Sequence, residues 1–549
     1  MRPIRLARLG KLNWRSKACF LLLLCLTAIT LPAQTFTILH NFNGTDGAYV
    51  LGGLVQTTNG SLYGTTDVGG AGGNGGTVFK ISTSGTLTSL HTFSSSGPDE
   101  GPYGGLIQAT NGNLYGTTQN FGTYHDGTVF KITLSGMLTT LHSFDSTDGT
   151  DPSARLVQAA NGSFYGTTYI GGAYDWGTVF KMTSSGTLTT LHHFAAGTDG
   201  AEPAAGLTQA IDGNLYGTAA NEGASGWGTV FMINPKNGKF TVLHGFDGTD
   251  GGEPYGDLVQ STDGNLYGTT ISAGTYGYGT VFKFNPTSGK LTTLFDFDNG
   301  ADGGWPYGGV IEATDGNLYG TTNIGGAYGQ GTIFKIVPTS GFLTTLYNFG
   351  STITDGANPY SPLVQDTDGT FYGTTSDGGT SGDGTVFSLS VGLGPFVETQ
   401  TTSGKVGAAV KILGTNLTGA TNVTFGTPAV FKVASSSLIT TTVPNGATTG
   451  SVSVTTPDGT LYGNQQFRVL PQITSFTPPS GPVGTSVKIT GVSLTQTLKI
   501  TFGGVNAPSF LVNSDTQVTV TVPAGAKTGK IAITTAGGGA TSSGTFTVT

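Results

Sequence analysis

One short phrase dominates this chain. It is written DGNLYGTT at residues 263–270 and 315–322, and its tyrosine recurs as Tyr63, Tyr115, Tyr165, Tyr216, Tyr267, Tyr319 and Tyr372. The intervals are 52, 50, 51, 51, 52 and 53 residues. A period this constant is the mark of a tandem repeat, in which each unit buries its apolar face against the next. One unit, LVQSTDGNLYGTTISAGTYGYGTVFKFNPTSGKLTTLFDF from residue 258, divides into four β-type runs: LVQST, NLYGTT, GTVFKFN and KLTTLFDF. The first two flank Asn59-Gly60, Asn111-Gly112, Asn161-Gly162, Asp212-Gly213, Asp263-Gly264, Asp315-Gly316 or Asp368-Gly369, dipeptides suited to the positive φ angles of a tight hairpin. Ser-Gly, as at Ser84-Gly85, usually joins the last two.

Four antiparallel strands per unit is the pattern of a propeller blade. The ends of the array are out of step with its units. TFTILHNF (35–42) copies the fourth run, whereas the last unit stops at GTVFSLS (384–390) without one. The expectation is an all-β fold: a seven-bladed β-propeller over residues 34–392, closed by the N-terminal strand, which removes the edges of an open array. The phrase itself then reads as scaffold, with turn residues and a tyrosine packed between neighbouring sheets.

Residues 1–33 read as a secretory signal peptide. Arg2, Arg5, Arg8, Lys11, Arg15 and Lys17 precede an apolar run from Ala18 to Ile29, and Leu31-Pro32-Ala33 precedes a cleavage point before Gln34. Both cysteines, Cys19 and Cys25, lie in this leader, so the mature chain is expected to hold no disulfide and no thiol metal site. The expected location is secreted, extracellular or at the cell surface, the periplasm included, with no transmembrane segment in the mature chain. The net charge of −8 includes six leader cations among the 23 basic residues, so the mature surface is more acidic still, which argues against nucleic acid. Gly, at 92 residues, has no three-residue period, which excludes collagen.

The combination LYGTT…GTVFK…LTTLH resembles the GloVer-type tandem repeat of secreted bacterial "choice-of-anchor" proteins over residues 35–390. The resemblance implies location and architecture and brings no agreed activity. After Gly392 the period changes. TSGKVGAAVKILGTNL (402–417) parallels PSGPVGTSVKITGVSL (479–494), and NVTFGTPA (422–429) parallels KITFGGVNA (499–507). Alternating Val, Ile and Thr between Gly/Pro turns indicates small β-sandwiches. Residues 393–470 and 471–549 both resemble the IPT/TIG immunoglobulin-like domain. The first departs from its pattern at PFVETQTTSGKVG, so its first strand is expected to be displaced. The pair reads as a spacer or presentation stalk.

In a four-stranded blade, the loop leading into the innermost strand and the loop joining strands two and three share one face. The first carries Asp46, Asp148, Asp199, Asp250, Asp302 and Asp355, with Asp99 out of register, and extra acids at Asp151, Glu202 and Glu253. The second carries Tyr124, Tyr174, Trp176, Trp227, Tyr276, Tyr278 and Tyr328, and Trp305 lies in a neighbouring loop of the first kind. Aromatic faces suit the C–H side of a sugar ring and carboxylates accept from its hydroxyls. The candidate ligand site is therefore Tyr124, Tyr174, Trp176, Trp227, Tyr276, Tyr278, Trp305 and Tyr328 with Asp148, Asp199, Asp250 and Asp302. The expected partner of this monomeric, noncatalytic recognition protein is an extracellular glycan or a surface protein. Alternatives are a structural surface protein without a specific ligand and a carbohydrate-active enzyme, for which Asp126, Asp175 and Glu222 break the repeat. No cofactor is expected beyond a calcium ion at DSTDGTD (145–151) or DGTDGGE (247–253), neither of which matches a full EF-hand loop. His40, His91, His142, His192 and His244 share one register with Phe295 and Tyr347, which marks a packing position.

Overall fold

The computed structural model describes residues 34–94 and 101–549. The leader with its cysteines, and Asp99, lie outside them. The described residues form no α-helix; one 3-10 turn, Gly197–Asp199, is the single helical element among them. Each of the first six repeats forms one four-stranded antiparallel sheet by itself. In the fifth, Val259–Gln260, Leu266–Thr270, Thr280–Asn285 and Lys290–Asp296 lie in that order from inside to outside. There are seven such sheets. The seventh is completed by Thr35–Asn41, which pairs antiparallel with Thr385–Ser390 from Thr35↔Ser390 to Asn41↔Thr385.

Each junction between sheets has its own core. Tyr63, Val78 and Phe93 of the first sheet meet Leu106, Leu114, Phe130 and Ile132 of the second. Tyr372 and Val386 of the seventh meet Leu54, Leu62, Phe79 and Ile81 of the first. These are the same register positions, so the last junction repeats the others and the ring is shut. Cross-sheet hydrogen bonds repeat with it. The Gln108 carbonyl accepts from the Thr58 N–H of the preceding sheet at 2.9 Å. Gln158, Gln209, Gln260 and Gln365, with Glu312 in the sixth sheet, do the same, and Gln56 accepts from Thr367 N–H at the closing junction. Each such bond contributes about 1 kcal/mol, and all seven act in one closed circuit.

Every letter of the repeated phrase has a place in this scheme. Leu62 and Tyr63 are fully buried on neighbouring cores. The Tyr63 hydroxyl takes a bond from Asn59 and the Tyr267 hydroxyl donates to Asp263. Gly64 leaves room for the Phe79 ring, whose Cζ would lie 2.6 Å from a Cβ there. Thr65 donates across the junction to Gly104 O, and Thr66 pairs with Thr77. The Asn-Gly and Asp-Gly turns differ from the expected pair of left-handed residues. Only the glycine has positive φ, as at Gly60 (78°), and Gly60 N–H donates to Thr57 O. This is a longer turn ending in a glycine bulge, which needs one left-handed residue instead of two.

After Gly392 the two C-terminal copies diverge. The second, from Gln472, forms separate four- and five-stranded sheets around Val487, Ile489, Ile500, Phe502, Ile531 and Phe546. In the first, the opening strand is cut to Val397–Thr399 and pairs antiparallel with Ala409–Gly414 and parallel with Gly463. Its two sheets thereby become one continuous eight-stranded sheet. The stalk expectation fails for this copy, because it is seated on the ring. Gln400 donates to Ala109 O, Lys411 to Thr110 O, Ser437 to Thr58 O and Arg468 to Ile211 O, while Phe396 N–H donates to Thr367 O. All five acceptors lie on turns between the first and second strands of the sheets. Buried polar groups meeting backbone carbonyls across a junction hold a fixed orientation, which a loose spacer does not provide.

Candidate functional site

Inner strands run from the loops that lead into them toward the turns that carry the C-terminal domain, so those loops open on the opposite face. They share it with the loops joining strands two and three, as expected: Thr150 pairs with Ile170, Ala201 with Asn221, Gly252 with Ser272 and Gly304 with Ile324. Tyr124, Tyr174, Tyr276 and Tyr328 sit at loop tips and are 55–60% exposed. Trp176, Trp227 and Trp305 are 37–39% exposed. Tyr278 is more enclosed and packs beside the core holding Phe297 and Phe334.

The half-buried aromatics have a backbone duty. Trp176 O accepts Glu202 N–H, Trp227 O accepts Glu253 N–H and Tyr278 O accepts Trp305 N–H, each across a junction. The donor residues form a ring of left-handed, non-glycine conformations: Tyr49, Asp151, Glu202, Glu253, Trp305 and Asn358, at φ 54–59°. Each costs on the order of 1 kcal/mol or more and persists only where its surroundings fix it. Tyr49, 45% exposed, belongs to the same face and register as Trp305 and was missed in the sequence because its neighbour is Val50 instead of proline. Trp227 also lies flat on Gly248 and Gly252, where any side chain would overlap it.

The aspartates are less free than their sequence pattern suggests. His142 Nε2 lies 2.7 Å from Asp148 Oδ2, His192 3.1 Å from Asp199 and His244 2.7 Å from Asp250; His40 and Asp46 repeat the pair. An ionised carboxylate only accepts, so Nε2 carries the proton. These aspartate side chains are 21–23% exposed, and their second oxygens mostly cap the turn, as Asp148 does for Asp145 N–H. The histidine position is a packing position as expected, its ring edge-on to the phenylalanine two residues later (His142–Phe144, 5.0 Å). A β-bulge before it, as between Ile38 and His40, turns the ring toward the aspartate. Where Phe295 replaces histidine, Asp302 has no such donor. Burial, then the neighbouring Asp298, push its carboxyl up to about 7.

Asp145 and Asp247, in the two segments considered for calcium, direct Oδ1 to Thr147 and Thr249 and cap their own turns. The described residues contain no group of three or more acidic, His or Cys side chains placed to hold a metal ion. Of the three acids that break the repeat, Asp175 accepts from Gly171 N–H, and Asp175 and Glu222 have φ of 67° and 59°.

Along the axis, Tyr103, Tyr255, Tyr307 and Tyr360 close together. Tyr103 OH donates to Tyr360 OH at 2.6 Å, and the Tyr307 and Tyr360 rings stack at 4.4 Å. Burial raises all four hydroxyls above their ordinary range, Tyr360 to about 12. Beyond them a chamber of about 580 Å³ runs to the seated C-terminal domain.

Residues 25–162, 140–303 and 208–427 match the Gloeobacter/Verrucomicrobia repeat. The chain belongs to that family. Beyond the Gloeobacter/Verrucomicrobia repeats, residues 471–548 match the IPT/TIG domain. No curated protein matches the chain. Among solved structures, an extracellular domain of a hybrid two-component system from B. thetaiotaomicron is 11% identical, with 92% of this chain and 58% of that one covered and a TM-score of 0.45. This chain thus spans little more than half of that protein's length. Oligogalacturonate lyase from Vibrio parahaemolyticus is 10% identical, with 64% and 93% covered and a TM-score of 0.43. A surface glycan-binding protein from Bacteroides uniformis is 24% identical, with 28% and 48% covered and a TM-score of 0.15. No residue role passes from these proteins to this chain.

Proposed function

We propose that this member of the Gloeobacter/Verrucomicrobia repeat family is a secreted recognition protein. In this reading its seven sheets are the blades of a propeller, residues 393–470 and 471–549 are two appended immunoglobulin-like domains, and the aromatic face binds an extracellular polysaccharide. The observation that carries the reading is a division of labour between two ends of the ring. One end is occupied by the protein's own C-terminal domain, bonded to turn carbonyls. The other presents half-exposed to largely exposed aromatic rings on loops fixed by cross-sheet hydrogen bonds. Rigid aromatic area suits stacking on sugar rings because little conformational entropy is lost on binding. The His-bound aspartates then orient loops, while Asp302 and the loop-tip tyrosines meet the ligand.

The test uses a property of the composition. Of four tryptophans, one (Trp14) lies in the leader and the other three, Trp176, Trp227 and Trp305, are all on this face. Tryptophan emission of the mature chain therefore reports this face alone. A glycan array should give binders that shift the emission, and the triple change of these tryptophans to alanine should weaken binding about tenfold or more at an unchanged fold. Absence of any bound glycan, or binders that leave the emission untouched, would overturn the reading.

A further inference from the structure

Seven near-identical units should line an axial channel with seven identical rings of residues. Departures from that symmetry are not required by the scaffold, and they gather around the chamber. At one register the sheets carry Gly53, Gly105, Gly206 and Gly309, with Pro362 in the seventh, but the third carries Arg155 and the fifth Asp257. These two pair across the axis, with Gly206 N–H donating to the same carboxylate. Gln becomes Glu312 in the sixth sheet, where Ser261 and Thr262 satisfy the carboxylate. The far wall is the first C-terminal domain, which contributes Glu398, Gln400, Asn464 and Arg468.

The charges of this lining do not cancel. Two cations, Arg155 and Arg468, stand against three carboxylates, Asp257, Glu312 and Glu398. Arg155 is bound to Asp257, Arg468 to Ile211 O, and Glu312 to two hydroxyls and an amide. Glu398 accepts no side-chain hydrogen bond among the described residues. Asn464, one residue beyond Gly463 as Glu398 is one beyond its partner Val397, holds a buried Oδ1 that also lacks a donor. A half-buried carboxylate without a counter-charge is costly. Val55, Ile107, Val259, Ile311 and Val364 supply apolar wall between this acid and the tyrosine cluster.

We infer that the chamber is a binding site for a small organic ammonium ion, its N–H groups directed to Glu398 and its aliphatic body along the Val/Ile belt. The volume lies within the range of small-ligand pockets. Tyrosine rings at the far end favour a second cationic or C–H group. A metal ion is a poor fit, since no three acidic, His or Cys side chains among the described residues are placed to hold one. Burial drives the Glu398 carboxyl up to about 7. Arg468 shares the chamber lining, and Asp366 on the facing turn of the seventh sheet, beside Asp368, interacts with Glu398 and is itself pushed up to about 7, by burial first. The bound ammonium ion therefore holds more tightly above neutral pH, where Glu398 is ionised.

Isothermal titration of the mature chain with 1,4-diaminobutane, and with uncharged 1,4-butanediol as its match, tests this. Saturable one-to-one binding of the diamine only is expected. Glu398→Gln should weaken it about tenfold or more and reduce its pH dependence to what Asp366 leaves, and Val259→Phe should block it by filling the chamber. Tryptophan emission should not change, which separates this site from the aromatic face. No saturable binding of the diamine, equal binding of the diol, or binding indifferent to both substitutions would overturn the inference.

Discussion

The two C-terminal copies share a sequence pattern and differ in what they touch. Lys411 and Lys488 occupy one register, as do Arg468 and Thr547, yet only the first copy's residues meet the ring. The second reaches the first mainly through Gln496 and Thr449, which exchange two hydrogen bonds. The difference begins at the opening strand. In the first copy it is three residues long, and it carries Glu398 to the ring mouth. In the second it is six residues long and pairs along Ser486–Val492. A shortened strand thus converts a module that could stand alone into a lid for its neighbour.

The sharpest way to break this comparison is truncation. Ending the chain after Leu470 should leave the melting temperature of the ring nearly unchanged, whereas ending it after Gly392 should lower it by several degrees, read by calorimetry. Exchange of the paired residues comes next. Arg468→Thr should cost about 2 kcal/mol, since a buried charged donor leaves Ile211 O unpaired, while Thr547→Arg on the exposed second copy should stay within about 0.5 kcal/mol. A smaller effect follows from Glu398. Its folded pKa of about 7 lies above the usual 4.5, so the folded chain holds the proton more tightly. The stability this contributes is complete below the unfolded value and is lost as pH rises through about 7. Glu398→Gln should therefore raise stability above neutrality, on the order of 1 kcal/mol after allowance for water in the chamber, and melting curves across that range should show the wild type weakening more steeply than the variant, which keeps the raised carboxyls of Asp302 and Asp366. Smallest, Lys411→Ala should cost about 0.5 kcal/mol and Lys488→Ala nothing measurable by denaturant titration.

The ring was legible because the repeat states it seven times. Tyr63 and its copies, the turn glycines and the displaced run at 35–42 all occupy the positions their pattern implied. What escaped notice depended on pairs of loops that meet only in space. The His142–Asp148 contact joins two positions, each with an adequate local explanation as a packing residue and a turn former. The seat of the first C-terminal copy was visible only as the departure at PFVETQTTSGKVG and a first strand expected to be displaced, with no sign of where that strand would lie. Arg155 and Asp257 stood in the sequence as departures from glycine, but their partnership required the axis that brings sheets three and five together. For the candidate face, the loops and exposed tyrosines were readable, whereas the engagement of Asp148, Asp199 and Asp250 by histidine was not.

The strand Thr35–Asn41 finds its partner only in residues synthesised roughly 350 positions later. Six sheets are complete before that partner emerges, and until then both flanks of the growing arc stay open. The first described strand to be made is thus the last to be placed. Such a clasp delays the finished circle until Thr385–Ser390 has been made.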